Sequence, residues 1–269
     1  MIYSGTTRRY EVNMVKDSLK SQFADQLDAW QSSDALSHPL NGDLSMRVVS
    51  LADEASWQPS PIENTEVRLL EYRDGSNPRF TALLRLSPGA SESDLGYWQM
   101  LEALVLNGSL TLTDIMADCG NYLRLPRLKH SLFLKGGNPC WPLEGQLYVA
   151  YAGGHYSKED KEPRLIDTQR EDAWLPGPTD AVEVLPLHVH GPANAMLLRW
   201  TDIASFQPQI DPKGEEILVL NGSLADERGR YSPGTWIRNP EISWQHWSGT
   251  PGTVIFYKSG HFHSTKRNP

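Results

Sequence analysis

Short runs rich in β-forming residues fill most of the chain. VRLLEY, FTALLRL, EALVLNGSL and LYVAYA are set apart by Gly, Pro, Asn and Asp, and VEVLPLHV, AMLLRW, EEILVLNGSL and TVIFYK follow in the same order. Short strands at regular spacing with turn residues between them predict an all-β sandwich or barrel. Residues 12–33 differ, because Val15, Leu19, Phe23, Leu27 and Trp30 recur at helical spacing and predict one amphipathic α-helix ahead of the strands. Its apolar stripe suits packing on the strands or against a second copy.

The two series are one segment written twice. EILVLNGSL, from Glu216 to Leu224, repeats EALVLNGSL, from Glu102 to Leu110, at an offset of 114 positions. Arg47-Val48-Val49 and Arg164-Leu165-Ile166 each lead, ten residues on, into a Trp-x-Pro-x-Pro unit: Trp57, Pro59, Pro61 and Trp174, Pro176, Pro178. Leu84-Arg85 matches Leu198-Arg199, and Gly120, Arg124 and Pro126 match Gly234, Arg238 and Pro240. At the ends Gly154-His155-Tyr156 answers Gly260-His261-Phe262 at an offset of 106, so the first copy carries eight extra residues after Pro126. That insertion holds Gly136, Gly137, Cys140 and Trp141 and is expected to cover one end of the first copy. Two near-tandem domains are predicted, over 47–156 and 164–269, joined by the charged stretch SKEDKEP and preceded by a helical extension over 1–46.

Composition narrows the function. Among 269 residues the formal charge is −8, which argues against a nucleic-acid binder with its basic face. No window holds the ~18 apolar residues of a membrane helix, and the first twenty residues lack the apolar core of a signal peptide. Cys119 and Cys140 form no CxxC pair and read as two reduced thiols of a cytoplasmic protein.

The second copy resembles a cupin, a small double-stranded β-helix (jelly-roll) barrel. Cupins carry His-x-His, three or four residues, Glu, six residues, Gly, and then Gly, five residues, Pro-x-Gly, two residues, His. Glu215 and Gly222 fit the end of the first motif, and Gly234 and Pro240 fit the start of the second. The string GEEILVLNGSLADERGRYSPGTWIRNP is most similar to the cupin half of ChrR-type anti-sigma factors, and Arg85-x-x-Pro88-Gly89-Ala90-Ser91 belongs to the same pattern. The resemblance implies a bicupin: two tandem barrels behind an N-terminal α-helix. It departs at the metal, since the three histidine positions hold Gln209, Asp211 and Gln245. The first copy has Leu95, Tyr97 and Ser131 there and Leu101 at the glutamate position, with Phe133 beside them, and reads as a filled scaffold. Residues 1–46 hold one histidine and no cysteine, so the zinc module of anti-sigma factors is not expected.

Strand residues alternate in direction, which places Gln209, Asp211, Glu215, Gln245 and Trp247 inside the second barrel and turns His246 outward. Oxygen donors of this kind suit magnesium, calcium or manganese rather than zinc, copper or iron. Three readings stay open: a polar pocket for a small-molecule ligand, a degenerate site filled by its own side chains, or an atypical divalent metal held by Gln209, Asp211, Glu215 and Gln245. Trp247 could narrow the cavity or stack on a planar ligand. His188 and His190 share a strand face about 6–7 Å apart and read as exposed strand histidines. With His261 and His263 they would allow a four-histidine zinc site. The sequence expectation is a soluble, cytoplasmic, homodimeric bicupin that binds or senses a small molecule, with no nucleic-acid or membrane partner. A cupin-type metal enzyme (oxygenase, lyase or isomerase) is the alternative.

Overall fold

The structure is a computed structural model that describes residues 40–51, 57–59, 65–73, 79–86, 100–112, 115–126, 132–139, 147–153, 160, 162–207, 214–240 and 246–260. The expected helix within 12–33, together with Gln209, Asp211, Gln245, His261 and His263, lies outside the described residues. So do Leu95, Tyr97 and Ser131, and Cys140 and Trp141 of the insertion.

The described chain is almost entirely strand. In the first half these are β1 (Val48–Ser50), β2 (Gln58–Pro59), β3 (Thr65–Arg73), β4 (Arg79–Leu86), β5 (Met100–Val105), β6 (Asn107–Leu112), β7 (Ile115–Asp118), β8 (Asn121–Pro126), β9 (Leu132–Pro139) and β10 (Leu147–Gly153). The second half has β11 (Arg164–Asp167), β12 (Leu175–Pro176), β13 (Val182–His190), β14 (Ala193–Trp200), β15 (Ala204–Phe206), β16 (Glu215–Asn221), β17 (Leu224–Asp226), β18 (Gly229–Tyr231), β19 (Trp236–Asn239), β20 (Trp247–Gly249) and β21 (Val254–Ser259). A single 3-10 turn, Glu171–Ala173, interrupts them. No described helix is long and apolar enough to cross a membrane.

Two seven-stranded sheets carry the same topology with one exchange. Their orders are β11-β8-β5-β10-β4-β3-β2 and β1-β19-β16-β21-β14-β13-β12. Each position in one sheet holds the repeat counterpart of the other, but the edge strands have traded places. β1 pairs with β19 through Val48↔Arg238, and β11 pairs with β8 through Arg164↔Arg124. The boundary near 156–164 therefore divides the sequence but not the sheets. A four-stranded sheet, β15-β20-β17-β18, and a three-stranded one, β7-β6-β9, complete the fold.

Alternation along β16 shows how the two cores arise. Ile217 and Val219 pack with Leu198, Trp200, Phe206, Leu224, Tyr231 and Trp247, which brings the small sheet over the large one and encloses the second half's interior. Leu218 and Leu220 point the other way and meet Leu70, Leu83, Leu104, Tyr122 and Tyr148 of the first half. Burial on both faces explains why these strands read as continuous apolar runs. Each fully buried side chain of this size stabilises the fold by roughly 1.5–3 kcal/mol.

The repeated motifs have visible work. The guanidinium of Arg85 lies 4.2 Å from the Trp57 ring centre and pairs with Glu66 at 3.0 Å. Arg199 lies 4.4 Å from Trp174 and pairs with Glu183 at 2.5 Å. Each Trp-x-Pro-x-Pro segment is thus pinned to the sheet by a cation–π contact. Gly222, in the repeated Asn-Gly-Ser, has φ +72° and would set a Cβ 2.6 Å from the Thr253 Cα. Only glycine fits a left-handed turn pressed on another backbone.

Charges cross the seam between the halves. Lys258 of β21 donates to Glu102 of β5 at 2.5 Å, and the Tyr122 hydroxyl donates to the same carboxylate at 2.8 Å. Arg238 of β19 pairs with Glu71 of β3. Arg124 reaches Asp160 at 2.6 Å, and the Asp160 carboxylate also lies 3.0 Å from His188 Nε2. His188 is therefore buried at 6% exposure, not exposed as its strand pattern suggested, because the second sheet covers its outer face with the first. Burial, then Arg124, lowers the His188 pKa against the pull of Asp160 and Glu102. His190 is half-buried, its ring stacked 6.5 Å from that of His188.

Cys119 is disulfide-bonded rather than a reduced thiol.

Candidate functional site

A row of polar residues crosses the second half's interior at one end of the large sheet. The register sets Asn239, Glu215, Ser259 and Asn194 side by side on four neighbouring strands, through Glu215↔Asn239, Glu215↔Ser259 and Asn194↔Ser259. Arg47, just ahead of the exchanged strand β1, extends the row from the chain's first half. Its Nε donates to Asn239 Oδ1 at 2.8 Å. The next row inward is apolar, with Val49, Ile237, Ile217, Tyr257 and Met196 as its members.

Glu215 is the centre of the row, 1% exposed. Asn239 Nδ2 donates to its Oε1 at 2.7 Å, and Trp247 Nε1 donates to the same oxygen at 3.3 Å. Its Oε2 is buried and completes no hydrogen bond; nor does the buried Tyr257 hydroxyl beside it. Burial raises the Glu215 pKa, with the neighbouring Asn239, Tyr257 and Trp247 groups and the more distant Arg47 opposing. Burial and the neighbouring Glu215 carboxylate push the Tyr257 phenol well above its ordinary range.

Arg47 is held firmly. Its Nη2 donates to Asp226 Oδ2 at 2.7 Å and to the Tyr231 hydroxyl at 2.9 Å, while Tyr231 donates to Asp226 Oδ1 at 2.7 Å. Its charge is thus neutralised by Asp226 rather than by Glu215. Asn194 Nδ2 donates to Ser259 Oγ at 3.2 Å, leaving Asn194 Oδ1 buried and without a hydrogen bond.

Of the residues singled out in the sequence, the fold brings Glu215 and Trp247 together. His246 points away, its side chain 58% exposed and its Nδ1 3.0 Å from Glu227 Oε1. Sequence reasoning missed Arg47, Asn239, Tyr257, Ser259 and Asn194. A signal existed for Asn239, which stands opposite Glu215 on the strand that ends the second motif's opening. Arg47 had the weaker signal of being repeated as Arg164. In the first half Leu101 and Leu125 take the places of Glu215 and Asn239, and both are buried.

A metal of the histidine-bound kind does not fit the described donors. Among the described residues no group of three or more His, Cys, Asp and Glu side chains could hold an ion. Glu215 is the one carboxylate of the row, and both ends of the Asn239 amide are committed, to Arg47 and to Glu215. The arrangement offers instead a buried hydrogen-bond acceptor among aromatic rings, with Tyr231 set edge-on to Trp247 at 6.4 Å.

Residues 161–263 match the family described as the ChrR cupin-like domain. No curated protein matches the chain in sequence. Among solved structures, YlbA of E. coli has a TM-score of 0.58 at 13% identity, covering 80% of this chain and 91% of its own. HEPD of Streptomyces albus, holding Fe(II) and 2-hydroxyethylphosphonate, has a TM-score of 0.53 at 9% identity, covering 82% and 77%. Quercetin 2,3-dioxygenase of Acinetobacter baumannii has a TM-score of 0.50 at 10% identity, covering 79% and 77%. At such identities the likeness is one of fold. The sheet topology and the family match agree: residues 161–263 carry a ChrR cupin-like domain, and the fold of the chain is similar to that of these solved structures.

Proposed function

We propose that the chain is a bicupin whose second barrel binds a small polar molecule at Glu215, while the first serves as scaffold. The observation that carries this reading is Glu215 Oε2, a buried carboxylate oxygen with no hydrogen bond in a row of otherwise ordered polar groups. Leaving such an oxygen dry and unmatched costs about 1–3 kcal/mol or more for a charged group, so a ligand that donates to it recovers that cost on binding. The exchanged strand adds support, because Arg47 fixes Asn239 and through it the orientation of Glu215. Ligand binding of this kind suits a sensor or carrier as well as an enzyme.

The test combines metal analysis with native mass spectrometry on protein purified without added metal. A small-molecule adduct that Glu215→Ala abolishes, with no stoichiometric transition metal, is the expected result. A stoichiometric transition metal released by Glu215→Ala would overturn the reading in favour of a metalloenzyme.

A further inference from the structure

We infer that the ligand class of the Glu215 site is a small cationic amine; the inference rests on the ligand-binding reading above. Three observations select this chemistry. First, among the described residues no guanidinium or ammonium contacts Glu215: its partners are the neutral amide of Asn239 and the indole of Trp247, both on Oε1. The cation nearest in the row, Arg47, spends its Nη2 on Asp226 and Tyr231. Among the described residues the carboxylate therefore has no counter-charge in contact.

Second, among the described residues Glu215 Oε2, the Tyr257 hydroxyl and Asn194 Oδ1 are buried in this interior without a hydrogen bond. An acceptor-rich set calls for a ligand rich in donors, and an alkylammonium carries up to three. Third, the neighbouring surface is aromatic, with Trp247 and Tyr257 next to the carboxylate. An aromatic surround excludes water, which strengthens the attraction between a carboxylate and a cation. A neutral polyol would satisfy the acceptors but leave the buried charge uncompensated.

The experiment measures binding of methylammonium and ethanolamine, with methanol and ethylene glycol as neutral counterparts, by calorimetry and tryptophan fluorescence at pH 7.5 and fixed ionic strength. The amines should saturate the wild-type protein at least ten-fold more tightly than the alcohols. Glu215→Gln should weaken them by at least ten-fold. His246→Ala, at an exposed side chain that points away from the row, should retain amine binding and serves as the second variant. If the alcohols bind as well as the amines through Glu215, the pocket stands and the cation falls. A divalent ion that displaces the amines stoichiometrically also overturns the amine assignment. Should none of the four probes bind, the inference is wrong, while the copurified adduct still judges the ligand-binding reading separately.

Discussion

Replacing Lys258 by Met tests the seam between the halves. Lys258 and Glu102 meet at 2.5 Å with side chains 6% and 3% exposed, so the substitution strands a carboxylate in a dry interface. Removing one partner of a buried pair costs about 3–5 kcal/mol. In a chain of this size each kcal/mol lowers the melting temperature by roughly 2–4 °C, which puts the loss near 10 °C. The double variant Lys258→Met, Glu102→Gln should recover most of it, because Gln is neutral and its carbonyl still accepts from Tyr122. Acidity supplies an independent check. Burial alone would raise the Glu102 pKa, but Lys258 and Tyr122 outweigh it and hold the pKa low. A lowered carboxylate pKa contributes stability above its unfolded value near 4.5, lost as pH falls through the folded value. The cost of Lys258→Met should therefore shrink on acidification, as Glu102 takes up a proton. Urea melts of the wild type and both variants from pH 3.5 to 7.5 provide the measurement. A single variant within about 1 kcal/mol of wild type, or a double variant no better than the single, would refute the reasoning.

Other substitutions probe the site and the turns. The Glu215 pKa is raised chiefly by burial, so stability should fall as pH climbs from about 4.5 to the folded value. Glu215→Gln should flatten that part of the profile, and a variant with the same slope as wild type would count against a dry carboxyl. His188 has a lowered pKa from burial and Arg124; its contribution is present near pH 7 and lost as pH drops below 6.5. His188→Gln should remove that loss in denaturation measured at pH 5.5 and 7.5. Gly222→Ala, with φ +72° and a backbone atom at 2.6 Å, should cost more than about 2 kcal/mol, since the left-handed backbone accounts for roughly 1–2 of it. Gly252→Ala has φ +85° and open space, so thermal melts of the pair should differ by the clash alone.

The fold was legible where the sequence repeats itself. Strand runs, the inward turn of Glu215 and Trp247, and the outward turn of His246 all follow from alternation against one register. The exchange of β1 and β11 was not legible, because Arg47-Val48-Val49 and Arg164-Leu165-Ile166 are near-equivalent strands. Swapping equivalents leaves every hydrophobic pattern unchanged. His188 was misread for a related reason: a single strand shows which faces are apolar, not which sheet will cover them. The doubly apolar EILVLN was the available signal, since a strand with one face in water would have shown alternation.

The exchange also changes where the site begins. Were β1 paired within its own half, Arg47 would lie beside the first interior, whose Leu101 and Leu125 give a guanidinium nothing to hold. Exchange carries it to Asp226, Tyr231 and Asn239, the polar groups of the second interior. Arg164, its counterpart, travels the opposite way into the apolar half and is exposed. One repeated arginine thus has two fates, decided by the lining of the interior that receives it. Both halves carry the same repeated strand, and among the described residues the polar lining that holds a buried carboxylate in place stands only in the second interior.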